Sequence, residues 1–244
     1  MRIAIVADIH ANLAAFEAVL RHAEAAGGLD ALWCLGDTVG YGPHPNECIA
    51  LLRRYEHRAV AGNHDLAACG RMGTGEFNEA AAEAVGWTEG QLTDASRAYL
   101  RELPLVVCEG DFTLVHGSLR SPEWEYLLSS EHALAHFELQ NTLYGLVGHS
   151  HLPFFYLERG GKPPSVHPAP DGEQVELEEE RLILNPGGVG QPRDGDPRAA
   201  YALYDGDAGG ITFHRVEYDI AATQQAMEAA RLPYWLTERL TYGR

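Results

Sequence analysis

The chain has 244 residues, 45% hydrophobic and 22% charged, and its 35 acidic against 18 basic residues leave a formal net charge of -17. That length buries a sizeable core. That charge repels polyanions, so long nucleic acid, which is bound through many Lys and Arg contacts to phosphate, is a poor partner, while a small phosphorylated molecule can still be drawn to a local cationic centre. No stretch approaches the roughly 20 apolar residues of a membrane span. Met1 to Ala7 is apolar but short, and it runs into Asp8 and His10 without a small-residue cleavage site, so no secretory signal is expected. Cys34, Cys48, Cys69 and Cys108 include no C-x-x-C pair; they read as buried or incidental thiols in a reducing cytosol, and the expected location is cytoplasmic.

Arg2 to Ala7 is a short β-rich run that predicts a buried strand. Asn12 to Ala26 carries Leu13, Phe16, Val19 and Leu20 at helical spacing, with Asn12 as N-cap and Gly27 just past the C-terminus. Ala31 to Leu35 predicts a second buried strand. Pro45 to Arg54 predicts a helix with proline early and basic residues late, and His57 to Ala61 a third strand. This β-α-β-α-β opening argues for a parallel sheet. Phe77 to Gln91 and Thr93 to Leu103 read as Ala-rich helices. Short strands are expected at 105–108, 112–116, 143–147 and 154–157. Gly160 to Gly172 is rich in Pro and Gly and reads as a surface loop. Further strands are expected at 174–178, 182–184, 200–204 and 211–216, with the acidic run Glu178 to Glu180 at a solvated strand edge and a last helix over 219–232. Strands dominate the second half, so two facing sheets with outer helices is the natural packing. No repeat or linker divides the chain, and one domain over 1–244 is expected.

Polar residues with metal-ligand chemistry recur just after these strands: Asp8 and His10, Asp37, Asn63 and His64, His116, and His149 and His151. Carboxyl ends of strands in open α/β sheets form the ligand crevice, so distant segments can converge there. Glycines 36, 62, 117 and 148 stand beside these residues and let backbone turn sharply. Carboxylate, imidazole and amide oxygen together favour borderline divalent ions (Mn, Fe, Co, Ni or Zn) over an all-oxygen Mg or Ca site. No cysteine belongs to the set, which argues against a structural zinc knuckle. The remaining histidines, at 22, 57, 132, 136, 167 and 214, read as ordinary surface or core residues.

The blocks D-I-H at 8–10, G-D at 36–37, G-N-H-D at 62–65, H-G at 116–117 and G-H-S-H at 148–151 stand in the order found in calcineurin-like metallophosphoesterases, which the sequence resembles over residues 1 to about 155. The segments Gly36 to Pro45 and Asn185 to Asp196 look like a bacterial and archaeal branch of phosphodiesterases and diadenosine-tetraphosphatase-like proteins, extending the resemblance over nearly the whole chain. The fold class expected is α/β, a four-layer α/β/β/α sandwich of two mixed β-sheets flanked by helices. The resemblance implies two divalent metal ions: Asp8, His10 and His151 on one, Asn63, His116 and His149 on the other, and Asp37 bridging. Two such cations, about 3.5–4 Å apart, can share a hydroxide at neutral pH. His64 would not ligate metal but would serve as general acid or bind a phosphate oxygen. Gly40 stands where protein phosphatases and nucleases often place a second Asp, and the Arg of the Ser/Thr phosphatases is absent, so a phosphoprotein substrate is disfavoured.

Four residues are expected near the substrate: Asn12, which also reads as an N-cap; Tyr41 and His44, in the loop after Asp37; and Arg193, a cation that can hold a phosphate oxygen bidentately. The function expected is hydrolysis of a small phosphodiester or phosphomonoester, nucleotides included. The alternatives are a non-catalytic metal-binding scaffold for a protein partner, which the retention of His64 and every expected ligand disfavours, and a nuclease, which the acidic charge disfavours. The sequence leaves the oligomeric state open.

Overall fold

The computed structural model describes residues 1–158, 160 and 163–244. In chain order the elements are β1 (Arg2–Val6), α1 (Leu13–Ala25), β2 (Ala31–Cys34), α2 (Pro45–Leu52), β3 (His57–Ala59), α3 (Asn63–Ala68), α4 (Glu79–Gln91), α5 (Asp94–Glu102), β4 (Val106–Glu109), β5 (Phe112–Val115), α6 (Ser130–Leu139), β6 (Tyr144–Leu146), β7 (Pro153–Glu158), β8 (Ser165–Pro168), β9 (Gln174–Glu176), β10 (Arg181–Pro186), β11 (Ala199–Asp205), β12 (Gly210–Val216), α7 (Ile220–Ala229) and α8 (Tyr234–Glu238), followed by a 3-10 turn at Arg239–Thr241. They form two six-stranded sheets, ordered β3-β2-β1-β11-β12-β9 and β4-β5-β6-β10-β7-β8. Both are mixed: β1 pairs parallel with β2 and antiparallel with β11, and β10 pairs parallel with β6 and antiparallel with β7. The parallel arrangement expected from the opening therefore holds for β1 to β3 and stops at β11.

Side-chain alternation explains the layering. Along β1, Ile3 and Ile5 face the second sheet, together with Trp33 and Leu35 and with Phe112, Leu114, Leu146, Leu182 and Leu184 from across the gap. Ala4 and Val6 face the other way, onto Phe16, Val19 and Leu20 of α1 and Ile49 and Leu52 of α2. A strand buried on both faces reads as a continuous apolar run, which is what β1 and β2 are. On the far side of the second sheet, Val115 and Ile183 meet Ala133 and Phe137 of α6. Each such buried Leu, Ile or Phe contributes about 1.5–3 kcal/mol relative to exposure.

Caps set the helix starts. Asn12 accepts from the Ala15 N–H at 3.2 Å, Asn78 from Ala81 at 3.0 Å, Thr93 from Ser96 at 3.1 Å and Asp219 from Ala222 at 2.9 Å. Asn78 is why α4 begins two residues after Phe77. Two short helices and α6 were not anticipated. Six-residue α3 and five-residue α8 are too short to show a period. The Pro- and Gly-rich stretch expected as a loop holds β8, which pairs antiparallel with β7 at the sheet edge; Pro168 closes that strand, where a missing donor costs nothing. Gly161 and Lys162 of that stretch lie outside the described residues. β9 ends at Glu176, so the exposed run Glu178 to Glu180 follows the strand rather than edging it. Cys34, Cys48 and Cys69 are buried, and all four thiols are free. Among the described residues no helix is long and apolar enough to cross a membrane.

Candidate metal centre

The loops leaving β1, β2, β3, β5 and β6 all open at one end of the two sheets. They bring Asp8, His10, Asp37, Asn63, His116, His149 and His151 together, each at most 4% exposed. Backbone hydrogen bonds lace the loops: Asp8 N–H to Gly36 O at 3.1 Å, His10 N–H to Asp37 O at 2.9 Å, Gly190 N–H to Asp8 O at 2.9 Å and Gly148 N–H to His116 O at 2.8 Å. Two glycines are required by close approach. A Cβ on Gly62 would collide with Asp37 Oδ1, and one on Gly190 with the backbone oxygen of Ile9. Five of the seven residues, Asp8, His10, Asp37, His149 and His151, have φ between 47° and 65°. Non-glycine residues rarely adopt this left-handed region, and such strain persists where surrounding structure over-determines it.

The ligand atoms form three overlapping groups: Asp8 with His10 and His151, Asp37 with His116 and His149, and His10 with Asp37 and His64; the first two use no atom in common. Asp37 links them: its Oδ2 is 3.7 Å from His10 Nε2 and 3.3 Å from His116 Nε2, while its Oδ1 accepts from the His64 N–H at 2.9 Å. Each imidazole is held from behind by a backbone carbonyl. Val39 O holds His10 Nδ1 at 3.1 Å, Gln191 O holds His151 Nδ1 at 2.5 Å, Leu35 O holds His116 Nδ1 at 2.8 Å and Trp124 O holds His149 Nε2 at 3.1 Å. A carbonyl only accepts, so those nitrogens carry the protons. Carbonyl support of this kind is the usual second contact of a metal-binding histidine.

Electrostatics then tests whether cations fit. Burial holds His10 and His151 well below the usual imidazole range, so both are neutral, and their Nε2 lone pairs face each other at 3.2 Å. Two lone pairs at that distance repel unless a cation lies between them. Asp8 Oδ1, 3.3 Å from His151 Nε2, and Asn63 Oδ1 are buried with no hydrogen-bond partner, and orphaned buried acceptors are costly. Burial raises Asp8 to about 7. In the other group burial opposes charge on His116, yet Asp37 and Asp8 raise it to about 9. Burial likewise opposes charge on Asp37, yet His116, through its charge and its hydrogen bond, holds it well below the usual carboxylate range. A protonated imidazole there occupies the electrostatic place a metal would take. The residues fit divalent metal.

The sequence profile of the calcineurin-like phosphoesterase superfamily domain matches residues 1–209. The chain belongs to this superfamily. A Sphaerobacter thermophilus metallophosphoesterase has a similar structure, with a TM-score of 0.90 at 47% identity, covering 100% of this chain and 99% of that one. The uncharacterized protein MJ0912 of Methanocaldococcus jannaschii is 38% identical over 247 residues, covering 99% of this chain and 98% of its own. The symmetrical bis(5'-nucleosyl)-tetraphosphatase of Vibrio cholerae is 31% identical over 127 residues, half of this chain and 45% of that one. The chain thus spans less than half of that tetraphosphatase. As a metallophosphoesterase-superfamily hydrolase, the protein has its buried polar cluster where a phosphate-binding metal centre can form.

A cavity of about 190 Å³ opens onto this polar cluster, lined by Asp37, Asn63, His64, His149 and His151 and also by Tyr41 and Arg193. The Tyr41 ring lies 4.6 Å from His10 and 4.4 Å from His64, with the Arg193 guanidinium 5.9 Å above it. The other two expected substrate contacts sit elsewhere. Asn12 is 1% exposed, and its side chain is engaged with Ala15, Gly190 and Thr223. His44 is the N-cap residue of α2 and is not among the residues lining the cavity. Asp65 was under-read. It accepts from the Val39 and Gly62 N–H groups, both at 3.1 Å, and so ties the loop after Asp37 to the start of α3. Its signal was visible as a carboxylate three residues after Gly62 at a helix start, the spacing of a capping box. The carbonyl of Gln191 left no such trace, because a backbone oxygen carries no side-chain signature.

Divalent metal is expected to stabilise the folded protein. Added to chelator-stripped protein at about 100 times its dissociation constant, it contributes about 2.7 kcal/mol, or roughly 5–10 °C in Tm for a chain of this size. Differential scanning fluorimetry with Mn, Co, Ni and Zn measures it; no shift with any of them would contradict the metal assignment.

Proposed function

We propose that this protein is a dinuclear metal-dependent phosphoesterase that hydrolyses a small phosphodiester or phosphomonoester. One observation carries the reading: two histidine-carboxylate clusters share Asp37, whose Oδ2 stands within 3.7 Å of an imidazole nitrogen from each. Asp8, His10 and His151 would hold one divalent ion, Asn63, His116 and His149 the other, and Asp37 both, with Mn, Fe, Co, Ni and Zn suited to this donor set. When bound, the ions supply charge neutralisation at the phosphoryl oxygens and activation of the attacking water.

The chain's own residues do the rest. Arg193 stands at the cavity wall, where a guanidinium can hold a phosphoryl oxygen and orient the ester. Tyr41, beneath that guanidinium, fixes its direction. His64 has its backbone pinned to Asp37, which aims its ring at the same cavity, and it donates the proton to the departing oxygen. Burial holds the His64 imidazole down to about 4; an anionic phosphate beside it acts in the opposite direction and favours the protonated form, and the proton lost to the leaving oxygen is replaced from solvent water. The resemblance to a nucleosyl tetraphosphatase supports nucleotides as the compounds to try first.

The test is turnover of nucleotides, sugar phosphates and phosphopeptides by metal-reconstituted protein, with bound metal counted. Hydrolysis of small esters with about two ions per chain is expected. Absence of turnover of every ester with both ions bound would sink the reading and favour a scaffold.

A further inference from the structure

Several aromatic rings beside the metal cluster do more than pack. Phe77 meets the His64 ring edge-on at 4.9 Å, and Trp124 meets Phe77 at 5.0 Å. Tyr126 stacks on His149, centroids 4.0 Å apart and planes 13° apart. All three line the metal cavity. They come from two loops outside every ligand block, the one before α4 and the one after His116. Holding His64 and His149 in place accounts for one side of these rings. Phe77 also packs against core residues around Ala81 and Ala84, yet Phe77 and Trp124 stay only half-buried, and Tyr126 is 41% exposed with one face already covered by His149. Large aromatic surface left in water beside a polar centre marks a binding surface.

We propose that Phe77, Trp124 and Tyr126 form a stacking shelf for a planar aromatic group on the leaving alcohol, so that the preferred ester is that of a nucleoside. The proposal rests on the phosphoesterase reading above. His64, which faces the leaving oxygen in that reading, touches Phe77, so the departing group lies along the shelf and the transferred phosphoryl group does not. The cavity, about 190 Å³, is smaller than the roughly 300–1,000 Å³ of pockets that enclose drug-sized ligands. It therefore takes the phosphoryl end and leaves a base at the mouth, against the open face of Tyr126. Glu76, beside Phe77 in the cavity lining, offers an acceptor for a ribose hydroxyl or an exocyclic amine. The shelf recognises a ring face and little else, since every base presents one. The backbone of Trp124 is held by the bond from His149 Nε2 to its carbonyl, and its ring meets that of Phe77 edge-on.

Calorimetry on metal-reconstituted protein tests this with adenosine, ribose and inorganic phosphate as separate probes. Adenosine is expected to bind at least about tenfold more tightly than ribose, in the range that base-aromatic stacking supplies. Phe77→Leu, and separately Trp124→Leu, should weaken adenosine about tenfold while leaving phosphate affinity and metal content within twofold. Equal affinity of the wild type for adenosine and ribose would overturn the proposal without needing any variant. So would variants that lose phosphate or metal in step with adenosine, since the rings would then only brace the histidines. Hydrolysis of esters by a protein that ignores adenosine removes the shelf and spares the phosphoesterase reading; failure to hydrolyse any ester removes that reading by itself.

Discussion

Asp37→Ala is expected to reduce phosphate-ester hydrolysis by more than about 10³-fold, beyond the roughly 10²–10³-fold that loss of a single transition-state donor costs. The reason is position. Asp37 is the carboxylate shared by the two ligand clusters, and its Oδ1 also anchors the backbone of His64. Its removal also takes away the carboxylate that stands 3.3 Å from His116 Nε2 in a fully buried site. Arg193→Ala should cost less, about 10–100-fold, the value of one charge-assisted hydrogen bond to substrate. It should do so with both metals retained, because Arg193 belongs to neither cluster. Steady-state kinetics on both variants, with metal content by mass spectrometry, decides the ranking. Equal losses with full metal occupancy in both would contradict it.

The effect of removing His64 should depend on how badly the leaving group needs a proton. His64→Ala is expected to cost on the order of 10²–10⁴-fold in kcat on an alkyl phosphate ester, the usual range for general acid-base catalysis. A nitrophenyl ester, whose leaving anion is already stable, should be affected far less. Metal content should not change, because the ring is outside the two ligand clusters that share Asp37. The nearest competing geometry is the grouping of His64 with His10 and Asp37, and metal analysis separates the two: loss of an ion would make His64 a ligand. A similar loss on both esters with metal retained would instead favour a charge contact to the phosphate.

What could be read in advance follows from where the information sits. The layering was legible because Ile3, Ile5, Trp33 and Leu35 alternate with Ala4, Val6, Leu32 and Cys34, so two buried faces were written into each strand. The convergence of the polar residues of the candidate centre was legible because each stands within a few residues after the end of a strand. β8 was not, because Pro-rich composition hides an edge strand whose partner, β7, is supplied only by the fold. Asn12 was read both ways, and its cap geometry to Ala15 was the part visible in sequence. Phe77, Trp124 and Tyr126 were invisible as a group: Phe77 and Trp124 stand 47 positions apart in the sequence, and nothing local to either loop says that they meet.

The left-handed backbone under Asp8, His10, Asp37, His149 and His151 bears on how such a centre can diversify. Of the non-glycine side chains, Asn, Asp and His tolerate this conformation best, and a β-branched residue there is an outlier. The loops therefore admit exchange among amide, carboxylate and imidazole, which are the donors that shift preference between harder and softer ions. Changing a donor is a short mutational walk that leaves every turn as it stands. Installing Val, Ile or Thr at any of the five positions would first require rebuilding the turn, so the donor atoms can change far more readily than the shape of the pocket floor.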